Sequence, residues 1–118
     1  MELKFYECEK CGRVIPVYEV KELCGWKQIK AGEKDGALEK HVPVVEVNGN
    51  SVTVKVGSVS HPMSAEHLIE WVLLEKESGF EIKYFSADGA PEAVFALADG
   101  EKVKAVYAYC NLHGLWKA

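Results

Sequence analysis

After His41, apolar residues recur at every second position, and this alternation predicts strands in preference to helices. His41 to Val47 and Ser51 to Val56 are both rich in valine. Asn48-Gly49-Asn50 lies between them, and residues that tolerate positive φ at that spacing predict a hairpin. Phe80 to Ser86 and Lys102 to Tyr109 alternate in the same way, and Ala93 to Leu97 forms a further short strand between Asp88-Gly89 and Asp99-Gly100. Leu68 to Lys76 fits two periods. Leu68, Ile69, Val72 and Leu73 would share a helical face, while Ile69, Trp71 and Leu73 alternate, and the strands on either side favour the strand. Short strands separated by turns, without a βαβ rhythm, predict an all-β fold, an antiparallel sandwich.

The first part of the chain has a different character. From Met1 to about Lys34 it carries three of the four cysteines, the turn dipeptides Cys11-Gly12 and Cys24-Gly25, and too few apolar residues for a core of its own. Ala31 to Gly36 reads as a linker. The expected division is a small module over residues 1–36 and a main domain over 37–118.

Composition narrows the function classes. The 118 residues are 48% apolar and 27% charged, ordinary for a globular protein with a real core, so a metal is not needed to fold the main body. No apolar run approaches the roughly 20 residues of a membrane helix. Met1 to Glu7 lacks the apolar stretch of a secretory signal, so the expected location is the cytoplasm. The net charge of −4 and the lack of a Lys/Arg cluster argue against nucleic acid, and an anionic substrate would need a local positive region. Four cysteines in such a protein point to metal or redox use before disulfides.

The four histidines, His41, His61, His67 and His113, all lie beside turns or strand ends, and Cys110-Asn111-Leu112-His113 places a thiol and an imidazole within chelating reach. Each has a bland alternative: a hydrogen-bonded or exposed histidine, a residue marking a turn before Pro62, a cysteine acting as a buried hydrophobe. Taken together they make a five-donor nitrogen and sulfur set, more than a tetrahedral structural zinc requires. Imidazole suits iron, copper, nickel and zinc alike, and the donor count favours iron.

Several strings also carry a resemblance. Glu39-Lys40-His41-Val42-Pro43, the segment from Gly57 to Met63, Glu66-His67-Leu68-Ile69-Glu70-Trp71, Pro91 to Phe95 and the segment from Tyr109 to Lys117 resemble superoxide reductase, the desulfoferrodoxin/neelaredoxin family. The resemblance spans nearly the whole chain. It implies an immunoglobulin-like seven-stranded sandwich and one mononuclear non-haem iron, with His41, His61, His67 and His113 as equatorial ligands and Cys110 as the axial thiolate. It also implies one-electron reduction of superoxide to hydrogen peroxide, a rubredoxin-like electron donor, and a homo-oligomer, dimer or tetramer. Lys40 would attract the anion and orient water or a proton, and Glu39 would ligate the oxidised iron and leave on reduction.

Phe5 to Val14, with Cys8-Glu9-Lys10-Cys11, resembles the desulforedoxin-like module of two-iron members, which supplies four thiolates as Cys-x-x-Cys and a later Cys-Cys pair. Here the later pair is Leu23-Cys24, so Cys8, Cys11 and Cys24 are a second candidate metal site with one ligand missing. Three outcomes stay open: an empty, degenerate module, a metal with water or another fourth donor, or a cluster that takes an outside ligand. Two rival readings stand beside this one. A blue-copper electron carrier would use Cys110 and His113 but wants a methionine just downstream, and the only methionines are Met1 and Met63. A zinc-ribbon-like module joining Cys8-x-x-Cys11 to Cys110-x-x-His113 leaves His41, His61 and His67 unused.

Overall fold

The computed structural model describes residues 2–18, 23–32, 41–57 and 62–118. Glu39, Lys40 and His61 lie outside the described residues. The chain forms two compact units, Met1–Lys30 and Ala31–Ala118. Every regular element among the described residues is a strand, and every strand pairing is antiparallel.

Among the described residues the first unit is a three-stranded sheet. Strand β1 (Leu3–Cys8) is central, with β2 (Val14–Tyr18) on one side and β3 (Trp26–Ile29) on the other. The composition suggested no core here, yet Leu3, Phe5 and Tyr6 of β1 are all buried. A central strand pairs along both edges, so its backbone groups are satisfied with few apolar side chains.

Among the described residues the second unit contains seven strands in two sheets. One has the order β10-β9-β6-β7, built from β6 (Ile69–Lys76), β7 (Gly79–Tyr84), β9 (Val103–Cys110) and β10 (Gly114–Lys117). The other has the order β4-β5-β8, built from β4 (Pro43–Asn48), β5 (Ser51–Val56) and β8 (Glu92–Ala96). Their inner faces share one core: Val52, Val54 and Val56 from β5 and Phe95 from β8 meet Ile69, Val72, Leu74, Val106 and Ala108 from β6 and β9. Fully burying a side chain such as Phe95 or Ile69 contributes about 1.5–3 kcal/mol. The all-β sandwich expected from the alternation is the one observed, and four strands facing three is the immunoglobulin-like arrangement.

The β4–β5 hairpin closes where it was expected. Asn48 pairs with Ser51, leaving Gly49-Asn50 as a two-residue loop. Only Gly49 takes a positive φ, 62°, the glycine-first geometry whose twist matches the flanking strands.

Strand β6 explains the mixed periodicity of its sequence. Its pairing with β9 shifts between Ile69 and Trp71, so Glu70 is an extra residue at a bulge. The bulge changes the phase of the strand: Ile69 faces the core, then Val72 and Leu74, giving a three-residue step followed by a two-residue step. That first step imitates a helical spacing. Two features were not anticipated. Strand β10 is too short to show a period, and Gly32, in the stretch read as a linker, forms a parallel bridge to Trp116.

Candidate metal centre

Four chain segments end together at one end of the sandwich. Because β6 and β9 are antiparallel, with Ile69 opposite Cys110, the start of one strand adjoins the end of the other. His67 lies two residues before β6, Cys110 is the last residue of β9, and His113 lies in the turn from β9 to β10. His41 lies two residues before β4, whose first residue, Pro43, pairs with Val56 at the end of β5. The positive φ of Gly114, 83°, makes a turn tight enough to bring His113 back over Cys110.

The donor atoms of His41, His67, Cys110 and His113 all lie within 4.8 Å of one another. His41 Nε2 is 3.2 Å from His113 Nδ1, and Cys110 Sγ is 3.7 Å from the same nitrogen. The rings of His67 and His113 meet edge to face with centroids 5.1 Å apart. Cys110 is fully buried and His41 nearly so, His67 is half-buried and His113 is exposed. One side of the cluster is therefore anchored in the core and another is open to solvent.

This arrangement fits a metal ion. Nitrogen–metal bonds of about 2.1 Å at right angles place neighbouring nitrogens about 3.0 Å apart, close to the separation of His41 and His113. Among the described residues the donor set is borderline to soft, three imidazoles and a thiol without a carboxylate, which suits a transition metal and not calcium or magnesium. His113 presents Nδ1, the ring nitrogen nearer its backbone, because Cys-x-x-His closes over a short turn. The sequence does not specify which ring nitrogen is used.

Backbone and side-chain contacts hold the donors in place. Asn111 accepts a hydrogen bond from the Leu68 N–H through Oδ1 at 3.0 Å and donates through Nδ2 to the Glu66 carbonyl at 2.9 Å. One side chain between Cys110 and His113 thus grips the chain on both sides of His67. The Ser64 hydroxyl oxygen accepts from the His67 N–H at 3.1 Å, and Met63 Sδ accepts from the Ile69 N–H at 3.4 Å. Trp116 stacks on His41, centroids 4.8 Å apart and planes 14° from parallel. Sequence reasoning gave no role to Asn111 or Trp116. Their position beside Cys-x-x-His was the available signal.

In the first unit the turns carrying the cysteines adjoin. The Glu9 N–H donates to the Gly25 carbonyl at 3.0 Å, which sets Cys24 beside the Cys8–Cys11 turn. The Cys11 N–H donates to Cys8 Sγ at 3.3 Å. The Cys11 thiol, helped by the backbone N–H groups of Cys11, Lys10 and Gly12, holds the Cys8 thiol below its ordinary pKa. All three cysteines are free thiols, with Cys11 and Cys24 exposed.

A sequence model of the family named Desulfoferrodoxin matches residues 33–118. The chain belongs to that family. The desulfoferrodoxin of Nitratidesulfovibrio vulgaris is 42% identical to it, covering 99% of this chain and 96% of the relative. A superoxide reductase of Thermococcus kodakarensis is 36% identical and covers 75% of this chain and 90% of its own. Among solved structures, the superoxide reductase of Treponema pallidum superposes with a TM-score of 0.86 at 40% identity, covering 99% of this chain and 98% of that one. The chain therefore joins a family fold to a histidine and cysteine cluster suited to one iron. No helix among the described residues is long and apolar enough to cross a membrane.

Proposed function

We propose that this chain is a superoxide reductase, converting superoxide to hydrogen peroxide at one iron held by His41, His67, Cys110 and His113, with His61 as the fifth ligand. The convergence of three imidazoles and one thiol within 4.8 Å is the observation that carries the reading. When bound there, iron supplies the chemistry that zinc lacks: one electron passes to superoxide, which with two protons leaves as hydrogen peroxide, and ferric iron remains.

The residues of the chain set the conditions for that step. Buried Cys110, deprotonated, puts a negative donor at the core side of the centre, while the neutral imidazoles leave a residual positive charge that favours an anion. Exposed His113 marks the side from which a small anion arrives. The described residues on either side of His61, Gly57 and Met63, contact segments that carry other ligands, which supports His61 as a ligand. Gly57 donates its N–H to the Val42 carbonyl next to His41, and Met63 contacts the backbone of Ile69 near His67.

Glu39 and Lys40 immediately precede His41 in the chain, which supports the roles that the family resemblance implies for them. In this reading Lys40 draws superoxide in by charge and orients water or a proton toward it, and Glu39 ligates the oxidised centre until it is reduced again. Cys8, Cys11 and Cys24 remain a candidate second site in the module of residues 1–36, one thiolate short with Leu23 where a fourth sulfur would stand, and a metal held there would raise the count above one per chain. The catalytic domain then runs over 37–118. Free thiols suit a reducing cytoplasm, and the reading extends to a rubredoxin-like electron donor and a homo-oligomer.

The test is metal content with colour. One iron per chain, a blue ferric form that bleaches on reduction, and peroxide formed from superoxide without release of dioxygen support the function. A colourless zinc protein with no superoxide-consuming activity ends it. Copper in place of iron would favour an electron carrier.

A further inference from the structure

Trp116 does more than fill space at the end of β10. Its indole lies nearly parallel to the His41 ring, with centroids 4.8 Å apart, and its Nε1–H donates to the His113 carbonyl at 3.1 Å. One side chain therefore touches two of the candidate ligands by two different interactions. The indole is itself seated. Gly32 bridges to Trp116 across β10, its N–H donating to the Leu115 carbonyl at 2.9 Å and its carbonyl accepting from the Lys117 N–H at 2.8 Å. A Cβ at position 32 would lie 2.8 Å from both Cε3 and Cζ3 of the indole, so only glycine leaves the ring where it is.

We propose that Trp116 is a positioning residue for the metal centre, fixing the plane of His41 by stacking and the turn of His113 by its hydrogen bond, with Gly32 as its seat. The inference rests on the metal reading given above and goes beyond it. Stacking removes ring rotations that His41 would otherwise lose on binding metal, so the ordering cost is met during folding. The stack also gains strength when the ion draws electron density from the imidazole, because the indole face is electron-rich. Neighbours of metal-binding histidines act in this way by orienting the ring, and losing one typically lowers metal affinity by about 10–100-fold.

The experiment titrates Co²⁺ into the metal-free full chain with Cys8, Cys11 and Cys24 replaced by serine, which serves as wild type here, so that the thiolate-to-cobalt absorption and the affinity in competition with a chelator report Cys110 alone. Wild type is compared with Trp116→Phe, Trp116→Leu and Gly32→Ala, and thermal unfolding of each metal-free form reports folding separately. Trp116→Leu is expected to weaken Co²⁺ binding by about 10-fold or more and to change the absorption band. Trp116→Phe, which keeps a ring to stack, should bind closer to wild type. Gly32→Ala should resemble Trp116→Leu although it leaves the tryptophan in place, and it carries the test if Trp116→Leu does not fold. Wild-type affinity and spectrum in both Trp116→Leu and Gly32→Ala would overturn the proposal, as would Trp116→Phe binding as weakly as Trp116→Leu. A wild-type chain that gives no thiolate-to-cobalt band would overturn the metal reading itself.

Discussion

Asn111 stands between Cys110 and His113 and its side chain grips the segment that presents His67, so replacing it with alanine removes that side-chain tie and leaves the backbone bond from the Asn111 N–H to the Leu68 carbonyl at 3.2 Å. Two hydrogen bonds are lost. The bond from Leu68 N–H is partly buried and is worth about 1 kcal/mol, since a net side-chain bond contributes roughly 0.5–1.5 kcal/mol. The bond to the Glu66 carbonyl is exposed and counts at the low end, about 0.5 kcal/mol. The sum is about 1.5 kcal/mol, which for a domain of this size lowers Tm by roughly 6–12 °C. The assay is thermal unfolding of the metal-free protein by circular dichroism, with amide hydrogen exchange at Leu68 as a local reading. Protection at Leu68 should fall together with Tm, because its N–H loses a fixed acceptor while water competes. Metal affinity should fall as well, since the His67 segment loses two of its ties to the Cys110–His113 turn. A Tm within about 2 °C of wild type with Leu68 protection intact would refute the reasoning, showing that the segment is held by something other than Asn111.

Four further outcomes are expected. Cys110→Ser should abolish the blue ferric colour while the chain still folds, because the band arises from thiolate; a variant that stays blue would reassign the sulfur donor. Lys40→Ala should slow superoxide capture in stopped-flow measurements at fixed ionic strength without loss of iron, and Glu39→Ala should alter the ferric spectrum and leave capture nearly unchanged. An unaltered capture rate in Lys40→Ala would remove it from the mechanism. Glu101 accepts from the Ala98 N–H at 2.8 Å, from Ser78 Oγ at 3.1 Å and from Lys76 Nζ at 3.4 Å. These contacts, the Ala98 N–H foremost, hold its carboxyl below the usual pKa. A depressed folded pKa contributes stability above the unfolded value of about 4.3, and this is lost as pH falls through the folded value. The stability gap between wild type and Glu101→Gln should therefore narrow below about pH 4.3 in urea unfolding, and a gap that does not change with pH would contradict the assignment.

Much of this protein follows from local chemistry. Period-two alternation over Ser51–Val56 and Glu92–Ala96 determines strands, because one face must meet a core and the other water. Gly49 determines a hairpin, because few other residues reach that backbone conformation cheaply. Donor identity is equally local: imidazoles and a thiol can bind a transition metal wherever they stand. What local chemistry leaves open is which of them meet. The antiparallel register that sets Ile69 against Cys110, and with it His67 near His113, comes from pairing between residues some forty positions apart. The Glu70 bulge hid the strand behind a helical spacing, since its phase shift appears only when the partner strand is in place. The use of Nδ1 by His113, the grip of Asn111 and the stack of Trp116 on His41 likewise exist only after folding. The sequence determined the element types and the donor inventory; tertiary contacts alone decided the geometry, because a metal centre is a set of distances and distances between remote residues are made by packing.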